Sequence, residues 1–273
     1  MKRRWINTVI IVAGVLLCLS TLLLPVYDQW RTSRILSTFK TETEDDRSEE
    51  EYRQMFEKAE EYNSLLQQTK KSGVTLKDEP LLSTESYNEL LNFGDGLLGS
   101  IEIPKISLTY PIYHGTSDEV LNTGIGHLQQ SSLPTGTTGS HAVFSGHRGL
   151  PTAKMFTRLD ELARGDLFFL NIGNQKFAYR VNDIRVVEPT DTTVTNIDPE
   201  RDIVSLVTCT PYGINTHRLI VTGERVEITP EEEAAIRTSM PSVTESMILA
   251  VPFLLVFILL MSWINRERCI VRY

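Results

Sequence analysis

Asp202-Ile203-Val204-Ser205-Leu206-Val207-Thr208-Cys209-Thr210-Pro211-Tyr212-Gly213-Ile214-Asn215-Thr216-His217-Arg218-Leu219-Ile220-Val221-Thr222-Gly223-Glu224-Arg225-Val226 reads as two extended runs around a turn cluster. The first is short, mostly apolar, and ends at a cysteine. The second alternates apolar and polar residues from Leu219 onward, the period of a strand with one covered face. Pro211, Gly213 and Asn215 break the pattern between them. His217 and Arg218 are neighbours on the second run, so their side chains point to opposite faces.

The same grammar extends from about Gly99 to Thr229. Ile101-Glu102-Ile103-Pro104 and Phe177-Ala178-Tyr179-Arg180-Val181 alternate, with Gly, Pro, Asn and Asp clusters between such pieces. Many short strands with turn signals predict a mainly-β barrel or sandwich, and about 130 residues suffice for one core. Met155 to Leu162 is the one clear helical turn inside this region. There is no internal repeat and no low-complexity tract.

Upstream, Thr41 to Glu61 holds ten acidic and three basic residues. Tyr52, Met55, Phe56, Ala59 and Leu66 nevertheless fall at helical spacing, which predicts an amphipathic helix: a solvated stalk with one packed face. This acidity, and a net charge of −8, argue against nucleic acid and anionic lipid as partners, since both want Lys and Arg clusters. Lys70 to Ser86 reads either as a flexible linker or as a lid.

The two ends are apolar. Ile6–Leu24 (19 residues) and Met247–Ile264 (18 residues) approach the roughly 20 that a membrane-crossing helix needs. Lys2, Arg3 and Arg4 precede the first stretch, and Arg266, Arg268 and Arg272 follow the second. This bias predicts two spans with both termini cytoplasmic and the middle outside the cell membrane. Leu22-Leu23-Leu24-Pro25 is a poor signal-cleavage site, and Leu17 before Cys18 is not the small residue a lipoprotein cysteine wants, so an uncleaved anchor is expected. The expected organisation is an anchor at 1–27, an acidic helical stalk and possible lid at 28–98, the barrel at 99–229, a linker at 230–246, and an anchor with a cytoplasmic tail at 247–273.

With Cys18 and Cys269 in or beside those stretches, Cys209 is the lone thiol of the middle region. No disulfide framework accounts for it, so it is either a reactive nucleophile or a buried, inert small residue. A cysteine nucleophile needs a base or positive neighbour and a donor for its oxyanion. Of His114, His127, His141, His147 and His217, His147 stands where an apolar strand ends and glycines open the backbone: Val143-Phe144-Ser145-Gly146-His147-Arg148-Gly149. His141 shares its strand parity. Acidic residues are scattered rather than set at calcium-loop spacing, so no metal is expected.

Ser205-Leu206-Val207-Thr208-Cys209, with Arg218 nine residues on, resembles the Thr-Leu-x-Thr-Cys signature and arginine of sortases. His141 to Pro151 is similar to the segment bearing that family's histidine. Ile103-Pro104-Lys105-Ile106 and Pro111 to Thr116 look like its first strands. The second apolar stretch points to the pilus-assembling class C branch. Ser205 replaces the signature's first threonine and keeps its hydroxyl. The resemblance implies a closed eight-stranded barrel, with Cys209 and Arg218 ending neighbouring strands and His147 close by. It implies a transpeptidase: Cys209 cleaves a Leu-Pro-x-Thr-Gly-like sorting signal through a thioacyl enzyme, and a pilin lysine resolves it as an isopeptide bond. His147 would act as acid and base, while Arg218 would stabilise the oxyanion or hold substrate, and the reaction would need no metal or cofactor. Partners would then be pilins bearing sorting signals and an acceptor lysine. A class C lid would place an Asp-Pro-aromatic motif in the site; here Asp78-Glu79-Pro80 interposes a glutamate, and no aromatic follows until Tyr87. Two other readings use the same text: a surface cysteine peptidase releasing product to water, and a non-catalytic membrane-anchored assembly module with Cys209 inert.

Overall fold

The computed structural model describes residues 26–41, 47–72, 80–150, 153–191, 193–234 and 236, together with the single positions 9, 13, 14 and 24. Nearly all of the apolar stretch 6–24, all of 247–264, and the lid candidates Asp78 and Glu79 lie outside the described residues. Among the described residues no helix is long and apolar enough to cross a membrane. The chain forms two compact units. In the smaller, which includes Met1–Trp30, residues 26–30 are helical, with the Tyr27 and Trp30 rings 6.0 Å apart. The larger comprises Arg31–Leu150 and Lys154–Ser239.

The larger unit is built on a closed eight-stranded barrel. Its strands are β1 (Leu97–Ile103), β2 (Leu108–His114), β3 (Ile125–His127), β4 (Ser140–Ser145), β5 (Leu167–Ile172), β6 (Gln175–Val187), β7 (Asp202–Thr210) and β8 (His217–Val226). They close in the order β1-β2-β3-β4-β7-β8-β6-β5. The pairs β2–β3 and β4–β7 are parallel and the others antiparallel. Closure leaves no free strand edge in this sheet. It depends on Gly99, whose φ is +155° and where a Cβ would sit 2.2 Å from the Asn171 carbonyl oxygen of β5. A side chain there would force β1 and β5 apart.

Alternation along the strands fills the interior. Leu98, Ile101, Ile103, Phe144, Phe168, Tyr179, Val204, Leu206 and Val221 are fully buried or nearly so. A short helix, Asp118–Thr123, connects β2 to β3, and two others flank the barrel in sequence, Thr84–Glu89 before β1 and Pro230–Ala234 after β8. The expected helical turn at 155–162 is a 3-10 segment, Met155–Glu161.

Helix Glu49–Ser72 starts at a capping box, in which Glu51 accepts from the Ser48 N–H at 2.8 Å and Ser48 Oγ accepts from the Glu51 N–H at 3.3 Å. Its acidic first turn and basic last turn suit the helix dipole. Tyr52, Ala59, Tyr62, Asn63, Leu66 and Thr69 form its buried face. Tyr62 donates to Gln129 O at 2.6 Å. Asn63 acts as a surrogate strand, accepting from Leu133 N at 2.7 Å and donating to Leu133 O at 2.9 Å. Of the predicted stripe, Tyr52, Ala59 and Leu66 are buried while Met55 and Phe56 are only half-buried, and Tyr62 and Asn63 fasten the helix to the segment 129–135.

One polar cluster lies far from the end of β7 that carries the cysteine. Asp202, at the start of β7, accepts from Ser140 Oγ at 3.0 Å and from Tyr179 OH at 3.1 Å. Burial is the main influence on its carboxyl, raising the pKa to about 6 against the opposing pull of these hydrogen bonds and of Arg225.

Candidate functional site

The register of three strands sets the site. On the parallel pair β4–β7, Ser145 lies opposite Val207. His147 follows Ser145 by two residues, just past the end of β4, and Cys209 follows Val207 by two within β7, so the loop carrying the histidine adjoins the strand carrying the cysteine. On the antiparallel pair β7–β8, Cys209 lies directly opposite Arg218, and directly opposed side chains share a face about 5 Å apart at Cβ. This is the face of Ser205 and Val207, opposite to the buried Val204 and Leu206. Cys209, His147 and Arg218 are each half-buried, so the thiol is reachable from outside.

Local bonds hold the histidine loop against the cysteine strand. Gly146 N donates to Val207 O at 3.1 Å. The buried Thr208 hydroxyl donates to Gly146 O at 2.7 Å. Arg148 Nη1 donates to Thr210 Oγ1 at 3.1 Å, and its Nη2 to Asp160 at 2.5 Å. The 3-10 segment Met155–Glu161 supports the loop from its other side: Phe156 N donates to His147 O and Gly149 N to Thr157 Oγ1, both at 3.1 Å. Gly149 has φ +83°, and a Cβ there would lie 2.8 Å from the Tyr212 ring. That close approach brings the β7–β8 turn over the histidine loop. Arg218 Nη1 donates to the carbonyls of His217 (3.1 Å) and Asn215 (3.3 Å), which leaves its Nε and Nη2 edge for another acceptor.

The other four histidines have different duties. His141 shares the face of Cys209, as its parity predicts, but its Nδ1 meets Asn196 O at 2.6 Å and its Nε2 meets Ser205 Oγ at 2.9 Å. Burial lowers its pKa. The Ser205 hydroxyl also lies 2.9 Å from Thr222 Oγ1, so the hydroxyl retained at this position is in use. His114 and His127 are buried, with Tyr87 packed against both rings. His127 Nδ1 lies 2.8 Å from the Tyr87 hydroxyl and is held neutral by burial, its pKa lowered to about 3. His217 turns away from Arg218 toward Glu188, 3.4 Å distant.

The structure therefore sets Cys209 opposite Arg218 and brackets the loop carrying His147 against the cysteine strand. A thiol, an imidazole and a guanidinium are the residue types an acyl-transfer site uses as nucleophile, proton carrier and donor for a developing oxyanion. Sequence reading missed the brackets Thr208–Gly146 and Arg148–Thr210; adjacency to His147 and Cys209 was the only signal available for them. Among the described residues no group of three His, Cys, Asp or Glu side chains is placed to hold a metal ion.

Comparison with known proteins places the barrel in a family. A sortase domain family model matches residues 101–226. The crystal structure of sortase C1 from Streptococcus agalactiae is 39% identical, with a TM-score of 0.64, covering 72% of this chain and 100% of that one. Sortase C from Clostridium perfringens, solved with the C-terminal cell wall sorting motif, is 38% identical, with a TM-score of 0.61 and coverage of 72% and 100%. Bacillus subtilis sortase D is 34% identical over 131 residues, 47% of this chain. That match spans 63% of the relative's own length, so the chain covers somewhat less than two thirds of this curated relative.

Proposed function

This chain belongs to the sortase family, and we propose that it is a cysteine transpeptidase of the pilus-assembling class C kind. One observation carries the reading: strand register sets Cys209 opposite Arg218 and brackets the His147 loop against the same strand. The likeness to several sortase C structures, one with a sorting motif, supports pilins as substrates.

The Cys209 thiolate attacks the threonine carbonyl carbon of a Leu-Pro-x-Thr-Gly-like signal. The carbonyl oxygen takes up the electron pair as an oxyanion, and the free edge of Arg218 donates to it. Collapse breaks the Thr–Gly bond. His147 gives its proton to the departing glycine amine, leaving a thioester on Cys209. A pilin lysine then attacks the thioester, His147 takes the proton from its amine, and an isopeptide bond forms as the Cys209 thiolate leaves. Basic flanks around the apolar stretches 6–24 and 247–264 support an anchored enzyme with its barrel outside the cell membrane and both termini cytoplasmic.

The test is a sorting-signal peptide incubated with a lysine-bearing pilin domain, followed by intact-mass analysis. Expected are a thioacyl adduct at Cys209 and an isopeptide-linked product. Cys209→Ala removes both while the fold survives; His147→Ala and Arg218→Ala lower turnover by several orders of magnitude. Cleavage that yields only free acid in the presence of the pilin would favour the peptidase. No cleavage and no adduct would leave the assembly module.

A further inference from the structure

The residues on either side of His147 bond the residues on either side of Cys209. Gly146 accepts from Thr208, and Arg148 donates to Thr210. The first bracket uses a backbone carbonyl, and the second is a side chain with two anchors. Arg148 spans Thr210 on β7 and Asp160 on the 3-10 segment. It thereby ties together the three pieces that converge on the thiol. The side chain is only 9% exposed, against 48% for Asp160. Its Nε is buried with no hydrogen-bond partner among the described residues.

That last fact bears on what Arg148 is for. Burying a donor without a partner lowers stability, so an apolar side chain would serve folding better at this position. What an apolar side chain cannot do is hold two oxygens at a fixed separation. A guanidinium is a rigid fork and does so; a lysine presents one point charge. We infer that Arg148 is a positioning residue: its fork, stretched between Thr210 and Asp160, fixes the His147 loop relative to Cys209. It does not touch the reacting atoms. It acts by keeping imidazole and thiol within proton-transfer reach, where a displacement of about 1 Å can cost about 100-fold in rate.

This rests on the transpeptidase reading, and the experiment separates the two. Thr210→Val keeps the volume and loses the hydroxyl, whereas Thr210→Ser keeps the hydroxyl and loses the methyl. These are compared with Arg148→Lys and Asp160→Asn for kcat and KM on a sorting-signal peptide. Melting temperature and the alkylation rate of Cys209 by iodoacetamide are followed in parallel. Thr210→Val and Arg148→Lys are expected to lower kcat about 10- to 100-fold with KM little changed. Thr210→Ser should stay close to the parent, and the Arg148→Lys/Thr210→Val double variant should be no worse than the poorer single one. The alkylation rate should follow the hydroxyl in the same order. Equal loss in Thr210→Ser and Thr210→Val, or kcat unchanged in Thr210→Val and Arg148→Lys while melting temperature falls, would overturn the inference. If the parent protein turns over no sorting peptide, the transpeptidase reading fails, and the alkylation series still decides the role of Arg148.

Discussion

Replacing Asp202 by asparagine should make the barrel more stable at neutral pH, by an amount that vanishes in acid. Asp202 is buried among Ser140, Tyr179 and Arg225, and burial raises its pKa from 3.8 to about 6. A raised folded-state pKa means that the folded protein binds its proton more tightly than the unfolded chain does. The stability that comes from this proton is fully present below the unfolded pKa, near pH 4. It is lost as pH rises through about 6. A shift of about two units corresponds to roughly 3 kcal/mol. Asparagine mimics the protonated acid and keeps an oxygen for Ser140 and Tyr179. Urea unfolding of parent and variant between pH 4.5 and 8 measures the difference, which cancels the titration of every other group to first order. The stability of Asp202→Asn minus that of the parent should climb by up to about 3 kcal/mol across the window and then level off. A flat difference would show that burial does not control this carboxyl. A difference of opposite sign would show that the Arg225 charge outweighs desolvation, and the reasoning would be wrong.

Three further outcomes follow from single contacts. Thr208→Val leaves the buried Gly146 carbonyl without its 2.7 Å donor and should cost about 1–3 kcal/mol in urea unfolding, with kcat reduced more than KM is raised. Gly149→Ala puts a Cβ 2.8 Å from the Tyr212 ring at φ +83°; activity on a sorting peptide should fall, and adding Tyr212→Ala should restore only the part due to the clash, since the backbone strain of about 1–2 kcal/mol persists. Asn63→Ala strips both surrogate-strand bonds from Leu133 and should lower stability by on the order of 2–4 kcal/mol, while the folded fraction keeps the parental kcat.

Much of the candidate site was legible because the chemistry proposed for it depends on residues with few substitutes. A thiol at the end of a strand, an imidazole at a glycine-opened strand end and an arginine nine residues downstream leave little else to assign. Stretches that alternate, such as Ile101-Glu102-Ile103 of β1, were also plain. Phe168-Phe169-Leu170 in β5 lacks alternation, and β3 is only three residues long, so neither carries a periodic signal. Asn63 and Tyr62 escaped notice because polar residues on an acidic helix look solvated; their burial depends on carbonyl and N–H groups about 70 residues away. His141 and His147 share a parity, and only the contacts of His141 with Asn196 and Ser205 separate their roles. Arg148 gave no signal of its own beside a more conspicuous neighbour.

The bonds that bracket the thiol span 62 residues of chain, and the Ser100–Asn171 contact between β1 and β5 spans 71. Contacts of that range form late, because the entropy of closing a long loop must be met before they can contribute. The histidine loop and the cysteine strand therefore meet only once β4 has docked beside β7. A nascent or half-folded chain keeps them apart, and a chain cut short of β7 never joins them. For a transpeptidase of the proposed kind, tying competence to the completed barrel keeps unfinished copies inactive.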